Sequence, residues 1–215
     1  MTIAEAINLF LEQTPSADRT SLAWPARYFN CAMDDLTRAR LRSFARWFVE
    51  QAVAESPSPK ELIRALAHFL EWAEENAAYR FDSEQREILR ELEISIPRAM
   101  EIFSRLASYL AERGGAFGFA EFLTSFEEGG RSRYDFDEPD QAGAREGYFR
   151  ILKIDGCRVE AEDELTEDRV YPITFPEEVA RLLEPGFILN LELARSKEGW
   201  QIVACGFTYP PGTEV

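Results

Sequence analysis

The chain has 215 residues, of which 46% are hydrophobic, and its 24 basic and 39 acidic residues give a net charge of −15. This length and hydrophobic fraction are those of a globular protein with one large domain or two small ones. The acidity extends along the whole chain, since residues 1–130 contain 14 basic and 21 acidic residues and the remainder contains 10 and 18. DNA, RNA and anionic membranes are therefore repelled at long range, whereas a basic protein, a cation or a neutral ligand is not.

Three cysteines, Cys31, Cys157 and Cys205, lie far apart in the sequence. An odd number without close spacing indicates reduced thiols, and it excludes a disulfide framework and a tetrahedral zinc site. The segment MTIAEAINLFLEQ is amphipathic and lacks the basic region of a signal peptide. No apolar run approaches the ~20 residues of a membrane span. We therefore expect a cytoplasmic protein.

Residues 1–128 show helical periodicity. Thr2 and Glu5 have the spacing of a capping box, in which each side chain hydrogen-bonds to the other residue's backbone N–H. They predict a first helix that ends near Gln13. Further helices are predicted over residues 36–54, from a second capping box (Ser58 and Glu61) onward, over 83–93, over 97–113 up to Gly114-Gly115, and over 119–126. The sequence thus predicts an all-α domain of six helices.

From Gly147 onward the periodicity changes to that of strands. Five segments are rich in β-branched and aromatic residues, namely YFRILKI, CRVEAE, RVYPITF, FILNLELA and WQIVACGF. Asp155-Gly156 and the segment 197–199 predict hairpins, and a short helix that begins at Pro176 separates the third and fourth strands.

These patterns predict an α+β fold. Residues 1–128 form an N-terminal all-α helical domain, 129–146 a linker, and 147–215 a C-terminal five-stranded small β-barrel with one short helix. The barrel is OB-like or SH3-like. A twisted open sheet packed on the helical domain is the alternative.

The stretch RSRYDFDEPDQAGARE, residues 131–146, partly fits a calcium-binding loop. Asp135, Asp137 and Glu146 occupy the first, third and twelfth places of the motif. The motif also requires a ligand at the fifth place and glycine at the sixth, where this chain has Pro139 and Asp140. The segment that follows is a predicted strand instead of the helix that such a loop enters. We interpret the stretch as a linker, and we predict neither a metal nor a cofactor.

A second group of acids lies where the second and third strands must turn. Its members are Glu160, Glu162, Asp163, Glu164, Glu167 and Asp168. Oxygen-rich clusters suit hard cations, so a metal-assisted enzyme built on residues 160–168 is one hypothesis. The alternative, which we favour, is a solvated loop. The single histidine, His68, is predicted to lie on the surface, and no motif supplies it with a nucleophile. We therefore predict no catalytic residues.

Three arginines, Arg38, Arg42 and Arg46, recur at i, i+4 and i+8 on the second predicted helix, opposite its apolar face. Three aligned guanidinium groups suit a phosphate or carboxylate partner. The alternative is a solvated face paired with acids elsewhere in the chain. Trp24 and Tyr28, which precede this helix, complete the set of candidate partner-binding residues.

The leading functional hypothesis is a non-catalytic protein-interaction or regulatory module. Strong acidity favours fast association with a basic protein. The second hypothesis is a nucleic-acid-associated protein that uses the three arginines. The segments FARWFVEQ and HFLEWAEEN resemble the helical arm-binding domains of tyrosine recombinases, and that resemblance implies association with nucleic acid.

The change of periodicity generates a first prediction. Helical periodicity stops near Phe126 and strand periodicity starts near Tyr148, so we expect an exposed connection between the two parts. Limited proteolysis, followed by mass spectrometry, should cut first between Gly129 and Gly147. First cuts between residues 62 and 73 would contradict the predicted helical domain.

Overall fold

The computed structural model describes residues 1–51, 56–77, 79–113 and 143–214. It confirms an α+β protein with an N-terminal helical region and a five-stranded mixed sheet that carries a short helix. The contacts divide the chain into two compact units. Residues Met1–Pro97 and Gly212–Glu214 form the helical unit, and Arg98–Pro211 form the sheet unit. The predicted linker, 129–146, lies outside the described residues except for its last four positions.

The helices of the first unit are held by capping and by buried apolar faces. They are α1 (Ile3–Gln13), α2 (Arg19–Tyr28), α3 (Arg38–Gln51), α4 (Pro59–Asn76) and the first part of α5 (Ser83–Glu112), with a 3-10 turn at Met33–Asp35. The first capping box is confirmed, because the Thr2 N–H donates to the Glu5 carboxylate at 2.8 Å and the Glu5 N–H donates to the Thr2 hydroxyl at 3.2 Å. Phe10, Phe44 and Phe69 are among the fully buried side chains of this unit.

One helix in this region was not predicted, and one predicted capping box is wrong. Periodicity did not indicate α2, because Pro25 falls inside it and its apolar stripe is short. Its start is fixed by Asp18, whose carboxylate accepts hydrogen bonds from the N–H and the hydroxyl of Ser21. The second capping box does not form: Ser58 precedes α4, but its hydroxyl makes no capping bond. The Ser58 carbonyl accepts from the Leu62 N–H instead, so the main chain starts this helix.

The helices predicted over 83–93 and 97–113 are one helix, α5. Pro97 lies inside it and removes one backbone donor. The helix continues because its apolar period does: Leu89, Leu92, Ile96 and Ala99 are all buried at spacings of three or four residues. Burial on both sides of the proline therefore outweighs the missing hydrogen bond.

The start of α5 is a capping box that the sequence analysis did not identify. The Gln85 N–H donates to Asp82 Oδ1 at 2.7 Å, and the Asp82 N–H donates to Gln85 Oε1 at 3.1 Å. The Gln85 side chain is buried, and its Nε2 also donates to the Leu36 carbonyl at 2.7 Å and to the Tyr79 hydroxyl at 2.8 Å. The first turn of α5 is thereby tied to the segment that precedes α3.

The sheet unit contains all five predicted strands and the predicted short helix. They are β1 (Ala144–Asp155), β2 (Arg158–Asp163), β3 (Arg169–Thr174), α6 (Glu177–Ala180), β4 (Ile188–Ser196) and β5 (Gly199–Tyr209). The strand order is β1-β2-β3-β5-β4. The β3–β5 pair is parallel and the others are antiparallel, and β1 pairs with β4 as well as with β2. Both hairpins predicted from turn residues are present, at 155–158 and 196–199.

The core of the sheet unit is formed by alternate strand residues and by the second part of α5. Phe149, Val159 and Leu191 are fully buried within it. The helix contributes Ala99, Ile102, Leu106 and Leu110 to the same cluster. The period-2 burial of the strands thus meets a helical stripe, which is how an α+β unit closes its core.

Gly199, at the start of β5, generates a second prediction. Its φ is +131°, and a Cβ there would lie 2.6 Å from the Pro172 carbonyl oxygen. Gly199→Ala therefore combines backbone strain with a clash, and we expect it to lower the free energy of unfolding by at least ~2 kcal/mol. Gly156→Ala is the matched control: its φ is also positive, at +60°, but nothing lies within 4 Å, so it should cost about 1 kcal/mol. Urea denaturation measures the free energy of unfolding of both variants, and equal losses for Gly199→Ala and Gly156→Ala would contradict the clash.

Candidate interaction surface

The three arginines predicted as a partner site lie in a row on α3, and we call them the arginine ridge. Arg38 forms ion pairs with Glu84 and, at 3.6 Å, with Asp82. Both acids belong to the capped start of α5. Arg38 is the most exposed of the three, with half of its side-chain surface accessible. The ridge is therefore exposed at this end, but its charge is partly neutralised by acids of the same unit.

The other two ridge arginines are also paired. Arg42 Nη2 lies 3.0 Å from Glu91 of α5, and Arg46 Nε lies 2.9 Å from Glu50, one turn further along α3. Ion pairs at this exposure contribute little to stability, about 0–1 kcal/mol each. They do restrict the guanidinium groups, each of which has five N–H donors.

A segment from the far end of the chain already uses one of these donors. Arg46 Nη1 donates to the main-chain carbonyl of Glu214 at 2.9 Å. Gly212 lies against Arg42, so closely that a Cβ at this glycine would be 2.6 Å from Arg42 Nη1. Thr213, between them, is 4% exposed. We call Gly212–Glu214 the tail segment. The ridge thus binds a short piece of polypeptide.

Sequence reasoning identified the ridge but missed the tail segment. The four-residue spacing of Arg38, Arg42 and Arg46 is a local pattern that can be read directly. The tail segment lies 168 positions after Arg46 and has neither helical nor strand periodicity. Its only signal is the Pro-Gly pair, which predicts a turn and not a binding partner.

The two candidate aromatic residues lie between α2 and α3. The Trp24 ring is 5.7 Å from that of Trp47 and 5.2 Å from that of Phe48, in edge-to-face geometry. Tyr28 packs on Phe44 and on Trp47, with centroids 5.4 and 5.1 Å apart. Trp24 and Tyr28 are both half-buried. Their main role is therefore to join two helices, and only their outer edges are accessible.

The Tyr28 hydroxyl links this aromatic cluster to the ridge. Burial raises the pKa of Tyr28, and a hydrogen bond with Ser43 and the charges of Arg40 and Arg46 act in the opposite direction. Of these two arginines, Arg46 belongs to the ridge. The aromatic pair on α2 thus packs against α3, the helix that carries the ridge.

A polar cleft of about 430 Å³ adjoins the first ridge arginine. Asp34, Arg38, Tyr79 and Gln85 are among its lining residues. Burial raises the pKa of Tyr79 to about 12, although its hydrogen bond with Gln85 acts in the opposite direction. The Tyr79 hydroxyl therefore stays protonated at neutral pH. The cleft carries both acids and bases, so it presents no single sign of charge.

The acids of residues 160–168 lie at the β2–β3 hairpin and are used within the sheet unit. Asp163 is buried, and its carboxylate accepts from the Leu165 N–H at 2.9 Å. Three others form ion pairs with arginines, namely Glu160 with Arg169, Glu164 with Arg150 and Asp168 with Arg145. Within the described ranges, no group of three or more His, Cys, Asp or Glu side chains is arranged to hold a metal ion.

Of the three acids that match the calcium-loop motif in the predicted linker, only Glu146 belongs to the described part of the chain. It lies in β1, directly opposite Glu192 of β4. Asp135, Asp137 and the residues at the fifth and sixth places of the loop fall outside the described ranges. Glu146 therefore occupies a strand position that faces another carboxylate.

The single histidine and the cysteines lie outside the interaction surface. His68 is exposed on α4, as expected, with its ring edge-to-face on Phe10 at 5.3 Å. Cys31, Cys157 and Cys205 are free thiols. Burial raises the pKa of Cys205 to about 12, so this thiol is not a nucleophile at neutral pH.

Comparison of the chain with models of protein families, with curated proteins and with solved structures finds no match. Among the described helices, none is both long enough and apolar enough to cross a bilayer.

The Glu146–Glu192 pair generates a third prediction. Burial and the charge of Glu146 raise the pKa of Glu192. A carboxyl group whose pKa is raised by folding destabilises the folded state when it is ionised. This loss of unfolding free energy is absent at a pH below the pKa of the group in the unfolded chain, and it is complete at a pH above the pKa in the folded protein. Glu192→Gln should therefore stabilise the protein at neutral pH by up to about 1 kcal/mol.

The pH dependence of that gain is the check. Thermal melts of the wild type and of Glu192→Gln should differ at neutral pH and coincide well below the ordinary Glu pKa of about 4.3. A gain that is unchanged in acid would show that the substitution acts by packing and not by charge.

Proposed function

We propose that the protein is a non-catalytic protein-interaction module and that the arginine ridge of α3 is its partner-binding surface. One observation carries this proposal, the hydrogen bond from Arg46 to the main-chain carbonyl of Glu214. A surface that binds a segment of its own chain through main-chain atoms has the donors and the geometry to bind a segment of another chain. We include the half-buried Trp24 and Tyr28 in the proposed surface because they pack against the helix that carries the ridge.

The ion pairs of the ridge support this role. The acids Glu91 and Glu50 hold Arg42 and Arg46 in place. Arginine side chains lose rotamer freedom on binding, which costs about 0.5–1.5 kcal/mol for each side chain immobilised. Side chains that are already restricted avoid part of that cost. At longer range, the net charge of −15 favours a partner with a basic surface.

We further propose that the sheet unit is an OB-like barrel. Support comes from the strand pairing. β1 pairs with β2 and also with β4, so the first and last strands of the order are hydrogen-bonded to each other, and β3 pairs in parallel with β5. The position of α6 between β3 and β4 favours the OB-like over the SH3-like alternative. The free thiols favour a reducing compartment, and we propose a cytoplasmic location.

Nucleic-acid association through the ridge is the second candidate function. Its support is the alignment of three guanidinium groups, which suits phosphates. It ranks lower because Arg38, Arg42 and Arg46 each pair with an acid of the same unit. A chain of charge −15 also begins from repulsion of phosphate backbones.

A photoreactive amino acid at position 39 gives a direct test of the proposed function. Ala39 is exposed on α3, next to the ridge. In extract of the native host, the otherwise wild-type protein should form protein adducts at this position. The triple variant Arg38→Ala, Arg42→Ala and Arg46→Ala should give an adduct yield at least about tenfold lower than that of the wild type. This ratio is the one expected when a contact of ~1.4 kcal/mol is removed. Its circular dichroism spectrum should be unchanged.

Arg64→Ala is the matched control, because Arg64 forms a comparable exposed pair with Glu93 of α5 at 2.7 Å but lies on α4. It should leave the adduct yield unchanged. Protein adducts that persist in the triple variant would overturn the proposed function. Adducts with DNA or RNA, or micromolar binding to either at physiological salt that the triple variant loses, would place the nucleic-acid function first.

A further inference from the structure

We propose that the ridge recognises, in its partner, a peptide segment of the same chemistry as the tail segment, and that the tail segment competes for this site. This inference rests on the proposed function and adds to it the class of ligand and a mode of regulation. The ligand has a glycine, then a small buried side chain, then a residue whose main-chain carbonyl accepts from Arg46. Three contacts support this description.

The first contact requires glycine. Gly212 has a φ of +74°, a conformation that L side chains rarely adopt. A Cβ at this position would also lie 2.6 Å from Arg42 Nη1 and 2.8 Å from Arg42 Cζ. Arg42 is held by Glu91, so moving it away disturbs an ion pair. The positive φ therefore selects glycine at this position, and a larger residue would in addition displace the Arg42 guanidinium.

The second contact selects a small side chain. Thr213 is 4% exposed, and its hydroxyl oxygen is buried without a hydrogen-bond partner among the described residues. Burial of an unsatisfied hydroxyl is unfavourable, whereas an apolar group of the same shape avoids this cost. The tail segment is therefore not the best possible ligand for its site, and a peptide with valine in place of Thr213 should bind more tightly.

The third contact fixes the register. Arg46 Nη1 donates to the Glu214 carbonyl at 2.9 Å, while Arg42 contacts Gly212. The two arginines are one turn apart on α3, and they contact residues two apart in the tail segment. Because the carbonyl belongs to the main chain, this contact does not depend on the identity of the residue that supplies it. Glycine and the small side chain provide the selectivity.

Competition follows from the covalent connection. A segment on the same chain has an effective concentration in the millimolar range for short flexible connections. A separate peptide at micromolar concentration therefore meets a ridge that is mostly occupied. Its apparent affinity is reduced by the fraction of molecules in which the ridge is vacant. Release of the tail segment should therefore raise the affinity for a peptide supplied separately.

A fluorescent peptide with the sequence TYPPGTEV, residues 208–215, tests the proposal by anisotropy. Gly212→Val in the full chain places a β-branched side chain at a positive φ and against the Arg42 guanidinium, so it should release the tail segment. We expect this variant to bind the peptide at least tenfold more tightly than the wild type. Adding Arg46→Ala to it should abolish binding, whereas adding Arg64→Ala should not. A peptide with valine in place of Thr213 should bind more tightly still.

A second variant, in which the chain ends at Pro211, removes the tail segment without placing any atom against Arg42. It should bind the peptide as tightly as Gly212→Val does. If Gly212→Val does not fold, the shortened variant provides the test by itself. Equal peptide affinity in the wild type and in both variants would contradict the proposal that the tail segment competes for the ridge. Peptide binding that persists after Arg46→Ala is added would contradict the proposal that the ridge is the binding site.

Failure of this inference can be told apart from failure of the proposed function. If no variant binds the peptide while position 39 still gives ridge-dependent protein adducts, the ligand class is wrong and the interaction surface stands. If the peptide does not bind and the adducts persist in the triple arginine variant, the proposed function is wrong as well.

Discussion

The helical unit depends on the hydrogen bonds of one buried side chain, that of Gln85. Its amide oxygen accepts from the Asp82 N–H, and its amide nitrogen donates to the Leu36 carbonyl and to the Tyr79 hydroxyl. A buried polar group is costly unless it is fully hydrogen-bonded, so this network allows one arrangement of the start of α5. That arrangement places Glu84 and Glu91 beside Arg38 and Arg42. The candidate surface on α3 therefore depends on a residue of another helix.

The electrostatics of the helical unit suit arginine better than lysine. A planar guanidinium can pair with a carboxylate through one edge and donate to a carbonyl through another. Arg46 makes both kinds of contact, to Glu50 through Nε and to the Glu214 carbonyl through Nη1. Acids near the ridge thus orient the arginines without using all their donors, which reconciles a very acidic chain with a cationic contact surface.

Local patterns allowed much of the fold to be predicted. The five strands, both hairpins, α1 and its capping box follow from alternation, turn residues and capping spacing within a few neighbouring positions. The errors arise mainly where distant contacts decide the outcome. α5 passes through Pro97 because both sides of it are buried, and α2 forms around Pro25 because it packs on α1 and α4. The Asp18 cap of α2 is a local signal that was missed. Within the candidate surface, spacing predicted the ridge. The acids of α5 and the tail segment come from elsewhere in the chain, and no local pattern indicates them.

The position of the tail segment in the sequence has a consequence for biosynthesis. A ribosome adds about 5–20 residues per second, and N-terminal parts of a chain fold first. Residues 1–97 of the helical unit leave the ribosome well before Gly212–Glu214, which belong to the same unit. During that interval the nascent helices carry an arginine ridge with no tail segment to cover it. A partner that binds the ridge therefore has its best opportunity while the protein is still being synthesised.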